Sequence, residues 1–169
     1  MNNIQKLLYS SNLTLQPQIK KYYIKSTGTN CKTISYPQNT NFQIGTDTPK
    51  DRGGTNQYPQ PIELLLSSFI GCEQATAQYV AKQLQVKIDK IDFNIEAERD
   101  ENGAKYLPIE EDAPVFSRLQ QIQGEAIVHG DIDEETIIKI GKIVEKRCPI
   151  ANMIIQSGCI LNVQWKKNK

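Results

Sequence analysis

Three features of this 169-residue chain predict an α+β fold. Its first third holds short strands punctuated by turns, one long apolar helix opens at Pro61, and a strand pair is followed by a helix that ends at Cys148-Pro149. Residues 20–26, 31–37 and 41–46 are rich in Tyr, Ile, Thr and Phe. They are separated by Gly28-Thr29-Asn30 and Pro37-Gln38-Asn39, the punctuation of an N-terminal antiparallel β-meander. Residues 47–56 contain loop formers and no apolar period, so an exposed connection is expected there.

At Pro61 the character changes. Proline suits the first helical position, Glu63 falls in the first turn, and good helix formers continue to about Leu84. From Ile62 to Cys72 the only polar side chains are Glu63, Ser67 and Ser68. A helix apolar on nearly every side is a long buried central helix, and a chain of this size can hardly surround it alone. That pattern argues for a homodimer.

Residues 91–99 alternate strictly and residues 119–128 less cleanly, which reads as a strand pair. Between them, residues 100–116 carry Pro108, Pro114, Gly103 and the acidic run Glu110-Glu111-Asp112, as a long solvated loop would. Asp133 is placed to cap a second helix, with Ile137, Ile138, Ile140, Ile143 and Val144 on its apolar face and Arg147 at its end. Pro149 breaks that helix and starts a short third one to about Gln156. Residues 159–165 alternate as a closing strand.

Composition narrows the function. Apolar residues are 38% of the chain and charged residues 23%, and no run is long and apolar enough to span a bilayer. A net charge of +1, with no basic stripe interleaved with aromatics, gives no footprint for nucleic acid. Residues 1–46 hold five lysines and no acid, a bias that faintly resembles a transit peptide, but they hold no arginine. The organisation expected is an N-terminal extension over residues 1–19 and one domain over 20–169, working in the cytoplasm.

Four cysteines, Cys31, Cys72, Cys148 and Cys159, have no C-x-x-C spacing, so neither a disulfide scaffold nor structural zinc is expected, and no cofactor. His129, the only histidine, sits in an alternating apolar stretch and reads as a satisfied sheet residue. Cys148 stands out because Pro149 would place it at a helix N-cap. Unpaired N–H groups, the helix dipole, Lys146 and Arg147 would all lower its pKa there, and the alternative reading, a small buried residue filling a helix break, stays open beside it. Cys72, mid-helix, reads locally as a core cysteine.

Gly53-Gly54 followed by Pro61-Ile62-Glu63-Leu64-Leu65-Leu66 and Cys72, together with Cys148-Pro149-Ile150, resembles the two signatures of the OsmC/Ohr family. These are the osmotically inducible protein C and organic hydroperoxide resistance proteins, and the spacing is similar to the OsmC-like branch. The resemblance implies an intertwined α+β homodimer with two long helices at its centre and active sites at the subunit boundary. It further implies a peroxiredoxin-like thiol peroxidase in which Cys72 attacks an organic hydroperoxide, Cys148 resolves the sulfenic acid to a disulfide, and a dithiol partner reduces the pair.

In the peroxidases an early-strand arginine holds the first thiolate. This chain has no arginine before Arg52, which is therefore the nearest candidate. Glu63 is a further candidate site residue, although nine residues before Cys72 it falls on the opposite helix face, where it suits the helix N-terminus. Two other readings stay open: a non-catalytic dimer that binds an apolar small molecule, and a thiol or persulfide exchange protein.

Overall fold

The computed structural model describes residues 16–169, so most of the expected N-terminal extension lies outside the described residues. The chain divides into two compact units, one through Tyr58 and one from Pro59 to Lys169. The reason is the pairing of the strands, which form two separate three-stranded sheets.

In the first unit β1 (Ile24–Thr29), β2 (Lys32–Pro37) and β3 (Ile44–Thr46) form the expected meander. Thr29 pairs with Lys32 and Ile24 with Pro37, leaving Asn30 and Cys31 as a two-residue turn. Asn30 takes φ 53°, a left-handed conformation that asparagine tolerates better than most residues. The first strand begins later than the apolar pattern suggests and the third is shorter.

The connection after β3 is not simply an exposed loop. Asp47 is fully buried. Its carboxylate accepts the Thr48 N–H at 2.8 Å, the Thr55 and Gln57 N–H groups at 3.1 Å each, and the Thr55 hydroxyl at 2.5 Å. These bonds, the Thr55 hydroxyl foremost, hold the carboxyl down to about 2. The segment thus winds around one anion, through a single 3-10 turn at Lys50–Arg52. Gly54 is required by this path, since a Cβ there would lie 1.9 Å from the Thr48 carbonyl oxygen.

The second unit contains α1 (Pro61–Gln83), β4 (Lys90–Glu98), a four-residue helix α2 (Asn102–Lys105), β5 (Gln121–His129), α3 (Glu134–Arg147), α4 (Pro149–Gln156) and β6 (Ile160–Lys167). The strand pair is antiparallel, Lys90 opposite His129, and β6 joins the other edge of β5 in parallel. The interval expected as one long loop includes α2, whose first N–H, that of Asn102, is accepted by the Asp100 carboxylate at 2.8 Å.

Asp133 caps α3, accepting the Thr136 N–H at 2.8 Å. Ile137, Ile140, Gly141 and Val144 are its buried stripe, at the i, i+3, i+4, i+7 spacing of one helix face. Ile138, expected on that face, is exposed. Gly141 takes the place instead, because Trp165 of β6 lies against it; a Cβ there would meet the indole at 2.5 Å. Trp165 also packs edge-on to Phe93 with ring centroids 6.0 Å apart.

On α1, the residues buried within the chain are Phe69, Glu73, Ala77, Val80 and Ala81, a single stripe. Leu65 and Tyr79 remain exposed, and among the described residues nothing beyond the helix's own backbone lies within 4 Å of where a Cβ on Gly71 would be. No described helix is long and apolar enough to cross a membrane.

Candidate thiol site

The site forms where α3 ends. Pro149 has no N–H and its ring bars a continuous helix, so the chain leaves α3 at Cys148, extended at φ −68° and ψ 116°, and re-enters a helix at once. Cys148 therefore closes one helix and caps the next. Its N–H donates to the Val144 carbonyl at 2.8 Å, and its sulfur accepts the Ala151 N–H at 3.3 Å. Asn152 secures the junction, its side-chain amide donating to the carbonyls of Glu145 and Lys146 at 3.2 Å and of Cys148 at 2.9 Å. The carbonyls of Glu145 and Lys146 belong to the last turn of α3, where intrahelical donors run out, while that of Cys148 also accepts the Asn152 backbone N–H at 3.0 Å.

Against this junction α1 places two consecutive residues. Cys72 is half-buried and packs against the core, with its thiol a hydrogen-bonding neighbour of the Cys148 thiol. Glu73, only 3% exposed, interacts with the same thiol. The structure thus brings together the two cysteines that the sequence singled out, both as free thiols.

The expected ionisation of Cys148 is corrected. It does cap α4, but it is fully buried, and burial first of all pushes its thiol up to about 12. The Ala151 N–H opposes that shift, while the Cys72 thiol and the Glu73 charge reinforce it. Lys146 and Arg147, counted in favour of a thiolate, have exposed side chains whose charge is screened by water. Desolvation wins over the helix end.

Glu73 was not anticipated. Burial pushes its carboxyl up to about 7, with the Cys148 thiol opposing and the Glu145 charge adding to the shift. One of its oxygens, Oε1, is buried without a hydrogen-bond partner among the described residues. The available signal was its position on the buried stripe of α1, four residues from both Phe69 and Ala77.

Glu63 forms a capping box with Gln60, accepting its N–H at 2.7 Å, and so holds the start of α1. Arg52 belongs to the first unit, on the 3-10 turn, where its carbonyl accepts the Cys31 thiol at 3.7 Å. Cys159 is buried and its thiol is pushed up by desolvation, with the Arg118 charge opposing. His129 pairs across the sheet with Asp92, Nε2 to Oδ2 at 2.8 Å, as a satisfied sheet histidine should. Among the described residues no group of three or more His, Cys, Asp or Glu side chains is arranged to hold a metal ion.

The family model described as OsmC-like protein matches residues 54–164, from the Gly-Gly segment through both members of the thiol pair. The chain belongs to this family. Among solved structures, an OsmC-like protein from Mycoplasma pneumoniae is similar at 26% identity and a TM-score of 0.72, covering 89% of this chain and 99% of its own. An organic hydroperoxide resistance protein OsmC from Legionella pneumophila shares 15% identity with a TM-score of 0.63, over 88% and 99% of the two chains. OhrB of Bacillus subtilis, an organic hydroperoxide resistance protein, shares 14% identity with a TM-score of 0.59, over 88% and 98%. At those identities the last two show the OsmC-like fold alone. No curated protein matches the chain at a significant level.

Proposed function

We propose that this OsmC-like chain is a thiol peroxidase that reduces organic hydroperoxides through Cys72 and Cys148. The observation that carries the reading is the meeting of these two thiols, one half-buried and one fully buried, at the break between α3 and α4. The accessible thiol suits attack and the sequestered one suits resolution.

In the proposed cycle the Cys72 thiolate attacks the distal oxygen of ROOH. The O–O bond breaks, the alkoxide takes a proton to leave as ROH, and Cys72 becomes a sulfenic acid. The Cys148 sulfur then displaces the hydroxyl, giving a disulfide and water. A dithiol reductant restores both thiols by exchange. A cation near Cys72 would favour its thiolate, and Arg52 is retained as the residue to test for that role. Glu63 serves by fixing the start of the helix that carries Cys72.

Stopped-flow mixing of the reduced protein with cumene hydroperoxide and with hydrogen peroxide tests the reading. Oxidation at least about tenfold faster by the organic substrate is expected, since the organic group brings apolar surface that binding can bury and hydrogen peroxide brings none. Inertness to both, or equal rates, would overturn it.

The same reading includes a homodimer. The apolar residues that the chain leaves uncovered on α1, Leu65 at 38% exposure and Tyr79 at 57%, flank a length of helix open at Gly71. A second copy would bury them. Sedimentation equilibrium is expected to show a dimer at micromolar concentration; a folded monomer would count against it.

A further inference from the structure

Glu73 is the one deeply buried charged side chain of the second unit, and the family-level chemistry gives it no task. It follows Cys72 directly, yet points into the core rather than toward solvent. It is 3% exposed, a neighbour of the Cys148 thiol, and left with one oxygen unpartnered. That oxygen is costly to bury, which makes a purely structural role a poor account of the residue. Glu73 also lines a cavity of about 290 Å³ between α3 and β6, where Lys142 and Lys166 supply positive charge and Glu145 negative. A proton leaving the carboxyl thus has a polar exit.

Cys148 has the opposite problem. As the resolving thiol of the proposed cycle it must lose its proton, but it is fully buried and caps a helix with its sulfur as the acceptor, not the donor. Its proton needs a nearby base. The groups facing it are the Cys72 thiol from α1, the Ala151 N–H from α4 and the Glu73 carboxyl. Once Cys72 is oxidised, the carboxyl is the carboxylate base among these groups.

We propose that Glu73 is the general base of the resolving step, taking the proton of the Cys148 thiol as that sulfur attacks oxidised Cys72. This deepens the peroxidase reading and rests on it. The lone pair of the Cys148 sulfur forms the S–S bond. The S–O bond of the Cys72 sulfenic acid breaks with its electron pair going to oxygen. The proton held by Glu73 passes to that oxygen, and water leaves. The Cys148 sulfur is oxidised, the Cys72 sulfur is reduced, and Glu73 returns to its starting state. A carboxyl poised near neutrality, as burial makes this one, is matched to giving and taking a proton at working pH.

The test is single-turnover oxidation of the full chain by cumene hydroperoxide across pH 5.5 to 9, comparing wild type, Glu73→Gln and Glu73→Asp. Dimedone capture reads the Cys72 sulfenic acid, and non-reducing peptide mapping reads its bridge to Cys148. In the wild type, bridging is expected to accelerate with pH through a midpoint near 7. Glu73→Gln should form sulfenic acid at the wild-type rate but bridge about 100-fold more slowly and without that inflection. Glu73→Asp should restore a pH-dependent limb, which a residue that only filled space would not do.

A second readout needs no hydroperoxide. In a Cys72→Ser background, Glu73→Gln should lower the pH midpoint of Cys148 alkylation, because the negative charge that holds this thiol up is gone. Normal sulfenic acid formation with an unchanged bridging profile in Glu73→Gln would overturn the role of Glu73 while leaving the peroxidase reading intact. So would an unmoved alkylation midpoint. Absence of sulfenic acid in the wild type would overturn both. If Glu73→Gln fails to fold, the same comparisons are made with Glu73→Asp, for which a displaced bridging midpoint supports the proposal and an unmoved one overturns it.

Discussion

Cys72→Ser is expected to abolish hydroperoxide consumption, a loss on the order of 10⁴-fold or more, as removal of a nucleophile usually is. Cys148→Ser should behave differently. Cys72 would still react once, but its sulfenic acid would find no second thiol beside it and would persist or climb to the sulfinic acid. Mass spectrometry of the two variants after one equivalent of cumene hydroperoxide separates these fates. Serine at 72 should leave Cys148 unmodified, since a fully buried thiol held near 12 has almost no thiolate at neutral pH. Full activity in Cys72→Ser, or preferential oxidation of Cys148 there, would reverse the assignment of roles.

Glu73 should also leave a mark on stability that is independent of catalysis. Its carboxyl is pushed from 4.5 in the unfolded chain to about 7 in the folded one. Below pH 4.5 both states hold the proton and the residue makes no pH-dependent difference. Between 4.5 and 7 the unfolded chain ionises while the folded chain does not, so stability falls as pH rises, and above 7 the loss is complete. The shift corresponds to about 3 kcal/mol. Glu73→Gln removes the titration, and in urea unfolding at pH 4.5, 6 and 8 its stability should be nearly level where that of the wild type declines.

The carboxylates with lowered values, Asp47, Asp92, Glu125 and Asp133, act in a different window. Their contribution is present above their unfolded values and lost in acid, so it does not mask the decline above pH 4.5. Parallel profiles for wild type and Glu73→Gln would show that this carboxyl ionises in the folded protein as readily as in water.

Much of the fold is legible in the sequence because local chemistry marks its boundaries. Pro61, Asp133 and the Cys148-Pro149 step each start or stop a helix for reasons contained within a few residues, and the observed ends follow them closely. The thiol pair is legible by resemblance alone, since Cys72 and Cys148 lie far apart in the sequence and are neighbours only in the folded chain. Charge at depth is what the sequence conceals. Cys148 has every local sign of an ionised thiol, and its burial under α1 reverses them. Glu73 looks like the first residue of a polar stretch, whereas it belongs to the stripe of Phe69 and Ala77. Asp47 opens a segment with no apolar period, yet backbone N–H groups close around it; periodicity records side chains and carries no trace of such a nest.

The sulfur that caps α4 ties the chemistry of Cys148 to the mechanics of the backbone. As a thiol or thiolate it accepts the Ala151 N–H, and the helix begins under that bond. Bound into a disulfide the same sulfur has less electron density to share, and the first turn of an eight-residue helix loses part of its anchor. In the proposed cycle, oxidation would therefore register in the amide of Ala151 as well as in the S–S bond. Its proton shift and exchange rate form a native gauge of the state of Cys148, readable without a label and without breaking the protein open.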